Sequence, residues 1–196
     1  MRDFHGGTGL NDFQIDYFGT EYSLDESESA PLIALYDLLK KGRTRYVEPL
    51  RVAIGRFNQS YNRRKAEDKL VDFVIALESS LLSGLSDELS YRLGLRGAIL
   101  LAETEDPVYT AAFLQAVYEI RSKIVHEGRG LFELVSSLKK LKKIAPQIDI
   151  GQIPQICEDM VRKILKKYLA LLSSGRQLSE INADLDNQIL VRLKSA

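Results

Sequence analysis

Cysteine and histidine are scarce in this chain, and tryptophan is absent. Among its 196 residues are one cysteine, Cys157, and two histidines, His5 and His126. A single cysteine excludes an internal disulfide framework, and one cysteine with two histidines leaves no zinc constellation. No apolar run approaches the roughly 20 residues that a bilayer-spanning helix needs, and Met1-Arg-Asp-Phe-His5 has no apolar signal-peptide core. A reducing, cytoplasmic compartment with no membrane contact is the expectation. Phosphate loops of the Walker type are missing, and Gly6-Gly-Thr-Gly9 lacks the strand and helix of a dinucleotide site. Nor do the carboxylates cluster as a two-metal site would require, so no metal or other cofactor is expected.

Net charge is absent too, with 27 basic and 27 acidic side chains, but the balance is uneven. Residues 1–28 hold seven acids (Asp3, Asp12, Asp16, Glu21, Asp25, Glu26, Glu28) against Arg2. The remainder therefore carries 26 basic and 20 acidic side chains, a surplus of six. A mildly basic body of this kind can hold a polyanion. The first 28 residues read as an acidic leader. Its Phe4, Phe13, Ile15, Tyr17, Phe18 and Tyr22 are too apolar for a pure linker, so it is expected to be partly ordered or packed on the body. Residues 29–196 read as one helical domain.

Within that domain apolar residues recur at three- and four-residue steps. Ser29 and Pro31 open a short helix that ends near Gly42. A second helix from about Thr44 carries Val47, Leu50, Ile54, Phe57 and Tyr61 on one stripe. A third spans about 66–82, with Leu70, Val74, Leu77 and Leu81 inward. Ser86-Asp-Glu opens a fourth with Leu89, Leu93 and Leu100. Asp106-Pro107 starts a fifth, striped by Phe113, Val117, Ile120 and Ile124 and stopped by Gly128. Residues 131–144 are expected to be helical and 146–154 a loop. A sixth helix (Ile156, Met160, Ile164, Tyr168, Leu171) stops at Ser174-Gly175, and a last one carries Leu178, Ile181, Leu185, Ile189 and Leu193. With no convincing alternating run flanked by turn residues, the fold class is all-α, an up-down helical bundle.

Three charges fall inside apolar arcs at 100° per residue: Glu78, Arg96 and Arg121. A buried charge without a partner costs several kcal/mol, so they should pair or line a cleft. Glu78 with Arg96 is the expected structural pair. Arg121 stands apart because His126 follows five residues later, at a helix end. Five residues turn the direction by about 140° on an ideal helix. Convergence of the two therefore needs either an unwound last turn or two copies meeting across a symmetric dimer.

The segments Asp68-Lys-Leu-Val-Asp-Phe-Val-Ile-Ala-Leu-Glu78, Glu88-Leu-Ser-Tyr-Arg-Leu-Gly-Leu-Arg96 and Val117-Tyr-Glu-Ile-Arg-Ser-Lys-Ile-Val-His-Glu-Gly128 together resemble Apea-like HEPN domains. The last matches that family's R-x4-6-H segment, with Ser122 as the polar residue after the arginine. The resemblance covers roughly residues 32–190 and leaves the leader unmatched. It implies a HEPN-type bundle with additional flanking helices and a homodimer. It also implies a metal-independent RNA endonuclease in a defence, toxin–antitoxin or RNA-processing setting, partnered by RNA and by an antitoxin or regulatory protein. Arg121 and His126 would be catalytic, supported or positioned by Ser122, Glu78 and Arg96. Lys139, Lys140, Lys142 and Lys143 could guide the RNA backbone. Related members serve instead as non-catalytic modules that bind RNA, a nucleotide or a protein. A structural adaptor whose acidic leader docks a partner is the third reading.

Overall fold

Pro107 and Gly128 bracket one of the predicted apolar stripes, and the helix between them contributes to the core of the bundle. The computed structural model describes residues 26–42 and 48–194. The leader reading, apart from residues 26–28, which fall in the first helix, and the expected helix start at Thr44 and Val47 lie outside those residues. Among the described residues there are seven α-helices and no strand: α1 (Glu26–Gly42), α2 (Glu48–Ser60), α3 (Ala66–Leu81), α4 (Leu89–Leu100), α5 (Pro107–Glu127), α6 (Ile153–Ser173) and α7 (Leu178–Lys194). The all-α expectation therefore holds. Short loops make helical hairpins of α2 with α3 and of α4 with α5. Helix α3 packs against α2, α5 and α6, α4 also meets α7, and α1 lies on α6.

The stripes of the third, fifth and sixth helices supply most of the core, whereas Tyr61 of the second stripe lies past the end of α2 and is exposed. Leu70, Phe73, Val74, Leu77 and Leu81 of α3 meet Phe113, Leu114, Val117 and Ile120 of α5, and Met160, Ile164, Tyr168 and Leu172 of α6 complete the core. Each such side chain contributes about 1.5–3 kcal/mol by leaving water. Cys157 is buried among them. Some polar groups inside the bundle are partnered across helices, whereas the Thr110 hydroxyl is buried without a partner. The Tyr168 hydroxyl donates to Asn182 Oδ1 at 2.6 Å, and Asn182 Nδ2 donates to the Ser80 carbonyl at 3.4 Å. Buried Asp72 accepts from Arg63 Nε at 2.6 Å and Arg56 Nη1 at 3.2 Å, which closes the α2–α3 hairpin.

Four local expectations change. Helix α1 begins at Glu26, so Pro31 lies inside it rather than opening it; acids in a first turn suit the positive end of the helix dipole. Ser86-Asp-Glu does not cap α4: Ser86 Oγ donates to Asp87, and Glu88 enters with left-handed φ of 54° and no side-chain cap. Residues 131–144 form no continuous α-helix. They make 3-10 turns at Leu131–Leu138 and Leu141–Lys143, with non-helical angles at Leu134. Leu131, Leu134, Leu138 and Leu141 are all buried, and a tighter winding aligns residues three apart. The expected loop before α6 contains a further 3-10 turn, Ile150–Gln152, closed by a capping box. Gly151 N donates to Asp149 Oδ1 at 2.8 Å, and Asp149 N to Gln152 Oε1 at 3.1 Å.

Candidate functional site

Helix α5 carries the residues of interest. Asp106 caps it by accepting from Tyr109 N–H at 2.6 Å, Pro107 occupies the first turn, and Gly128 ends it at φ +67°. A left-handed residue at a helix end is cheapest as glycine. The helix thus stays regular through Glu127. The anticipated unwinding of its last turn does not occur, and within one chain Arg121 and His126 remain about 140° apart around the axis.

Arg121 turns toward α3, where its Nη2 lies 3.5 Å from Glu78 Oε2, with the two side chains 22% and 23% exposed. That distance exceeds a good hydrogen bond, and Arg121 Nε is buried without an acceptor. Burial pushes the Glu78 carboxyl above its ordinary value, against the pull of the Arg121 charge. The guanidinium is therefore loosely held. His126 is exposed and makes no hydrogen bond or ion pair with the described residues. Ser122 is half-buried. Its neighbour Lys123 donates to Glu119 Oε1 at 2.6 Å and Ser137 Oγ at 2.9 Å, fastening α5 to the following turns.

The expected Glu78–Arg96 pair is not formed. Arg96, its side chain only 3% exposed, is held by Asp186 of α7 through Nε–Oδ1 at 2.8 Å and Nη2–Oδ2 at 2.6 Å. Its Nη1 donates to the Leu81 carbonyl. The swap follows from helix order. Glu78 faces α5, while Arg96 comes from α4 and meets α7. Arg96 is therefore a tie between helices and shares no hydrogen bond or ion pair with Arg121 or His126. Asp186, whose carboxyl the Arg96 hydrogen bonds hold below the ordinary range, was not singled out by sequence reasoning, and nothing in local spacing marks it.

Of the four lysines, Lys139, Lys140 and Lys143 are exposed and Lys142 is half-buried, and none pairs with an acid among the described residues. Beside the end of α5 a cleft is lined by Lys65, Asp68, Ile124 and Arg129. Arg129 reaches Glu127 and Glu133, each at 3.7 Å; its place directly after the helix-ending glycine was the available signal. Val125, Phe132 and Val135 leave large apolar side chains in water on the same stretch of chain, Phe132 at 68% exposure. Among the described residues no three metal-ligating side chains gather, and no helix is long and apolar enough to cross a membrane. Compared with family models, with curated proteins and with solved structures, the chain finds no match.

Proposed function

We propose that this chain is a cytoplasmic, metal-independent endoribonuclease of the HEPN type, active as a homodimer whose sites draw on both chains. The observation that carries the reading is the pairing, on the last two turns of α5, of an under-committed guanidinium with an uncommitted histidine. RNA brings its own nucleophile, so the site must supply proton transfer and charge stabilisation. His126 takes the 2′-hydroxyl proton as that oxygen bonds to phosphorus. Arg121 offers planar paired donors to the developing negative charge. The P–O5′ bond breaks as the departing oxygen takes a proton from water, and the products are a 2′,3′-cyclic phosphate and a 5′-hydroxyl end. A phosphate would compete with Glu78 for Arg121, and the 3.5 Å separation of that ion pair leaves the guanidinium room to turn to it. The apolar surface of Val125, Phe132 and Val135 beside His126 is what a second copy would cover. The four lysines would guide the RNA backbone, and an antitoxin or similar regulator fits a defence or RNA-processing role.

One observation favours a second reading. The divergence of Arg121 and His126 around a regular helix suits a non-catalytic HEPN-like module that binds RNA, a nucleotide or a protein. Labelled single-stranded RNA incubated in EDTA with the parent, His126→Ala and Arg121→Ala separates the two. The nuclease reading expects cyclic-phosphate ends and a loss of at least about 10²-fold in His126→Ala, with dimer mass and helicity kept. Binding without cleavage, or cleavage unchanged in both variants, overturns it.

A further inference from the structure

Short side chains leave a groove where α4 and α5 pack together. Ala98 of α4 and Ala111 and Ala112 of α5 line it with the larger Val108, Ile144 and Ile189, and the cavity measures about 460 Å³. That is the size of a small-molecule site. Val108 and Ile144 are exposed, so the groove opens to water. It continues into a polar cleft of about 280 Å³, which shares Ala112, Gln115 and Ile144 with it and adds Ser90, Glu119 and Lys140. Val108, Ala112, Gln115 and Glu119 follow one another at three- and four-residue steps. One face of α5 thus passes from apolar to polar over about 16 Å.

The charges of the cleft do not cancel. Glu119 accepts from Lys123 at 2.6 Å, so that acid is already matched, and Lys123 also donates to Ser137 Oγ. Lys140 has no acidic partner among the described residues, and the side chains of Ser90 and Gln115 make no hydrogen bond with them. One net positive charge and two open hydrogen-bonding groups therefore stand at the end of an apolar groove. We propose that groove and cleft together bind a small monocarboxylate with an apolar chain, of the medium-chain fatty acid class. The chain lies in the groove beside Val108, Ile144 and Ile189, and the carboxylate accepts from Lys140 Nζ, Ser90 Oγ and the Gln115 amide. A neutral ligand would leave Lys140 uncompensated. A dianion would set its second charge against Glu119 with no further free cation in the cleft. Apart from Lys140, these residues take no part in the proposed cleavage site, so this binding does not depend on the chain being a nuclease.

Isothermal titration calorimetry of the full chain with octanoate, kept below its micellar range, tests the site. Octanol and octylamine, which carry the same tail, serve as comparisons. The proposal expects octanoate to bind saturably, one molecule per chain, and several-fold more tightly than either. Lys140→Gln should weaken octanoate about fivefold. Lys139→Gln makes the same change in net charge at a residue that does not line the cleft and should leave the affinity unchanged. Ile144→Asp, on an exposed position, should abolish binding while circular dichroism shows the helicity kept. Uptake that never saturates, equal affinity for octanol, equal losses in the two lysine variants, or binding indifferent to Ile144→Asp would each overturn the proposal. So would tighter binding of a peptide that ends in an apolar residue, which would make the partner a protein.

Discussion

Arg96 and Arg121 both interrupt apolar stripes, yet the two are held differently. Every guanidinium nitrogen of Arg96 has an acceptor, whereas Arg121 has one long ion pair and a buried Nε with none. The first is fixed in place and the second is available. Removing the charge on Asp186 strands a buried cation, so Asp186→Asn should lower stability by about 3 kcal/mol. That is the low end for a broken buried pair, because Asp186 is 31% exposed. The pH dependence follows from the directions of the shifts. Asp186 has a lowered folded-state pKa, so its contribution is complete above the ordinary carboxylate range and is lost as pH falls through the lowered value. Glu78, raised by burial, acts oppositely: stability falls as pH rises from the ordinary value through the raised one. Urea midpoints measured from pH 7 to pH 3 should therefore drop less steeply at the acid end in Asp186→Asn than in the parent. Parallel curves would remove Asp186 from the account. The angular plot of the sequence found buried Arg96 and half-buried Glu78 and Arg121 but mispaired them, and it missed buried Asp72. Periodicity gives the direction of a side chain along its own helix and carries no information about which helix lies opposite. The partner of Arg96 is 90 positions away.

Elements were legible where their ends have local chemistry. Asp106-Pro107 and Gly128 marked α5 to within a residue, because capping and left-handed backbone are properties of a few neighbouring atoms. The 3-10 turns after it were not legible. Leucines at 131, 134, 138 and 141 fit three- and four-residue steps alike, and packing chose the tighter winding. Glycines inside helices were equally ambiguous, and their neighbours separate them. A Cβ on Gly94 would stand 2.9 Å from the Ala111 carbonyl oxygen, and one on Gly97 2.1 Å from Leu114 Cδ1, so α4 and α5 approach closely through these two positions. A Cβ on Gly55 of α2 would meet nothing within 4 Å. Alanine gains about 1 kcal/mol over glycine in a helix interior, while overpacking against backbone costs about 1–3 kcal/mol. Gly55→Ala should thus raise the melting temperature and Gly94→Ala should lower it. Thermal melts of the pair check this, and a rise in both would mean that α4 and α5 can part without loss.

Across the whole molecule, one core runs from α2 to α7, and charge is distributed by region rather than evenly. The acidic start and basic remainder were readable directly, since composition needs no knowledge of contacts. What the fold adds is location: the lysine turns border an apolar groove on the face where α4, α5 and α7 meet. Burial of Cys157 at the centre has a separate use. Its thiol is fully enclosed and its pKa is pushed far up by desolvation, so an alkylating reagent, which needs an accessible thiolate, can reach it only when α6 leaves the core. With one sulfhydryl per chain, the labelling signal has a single source. Native protein should resist iodoacetamide for hours yet take up one equivalent at once in denaturant, and its rate in dilute urea would report the opening free energy. Rapid native labelling would mean that α6 opens locally. The chain thus carries a built-in clock for the undocking of its central helix, one that needs no dye, tag or engineered residue.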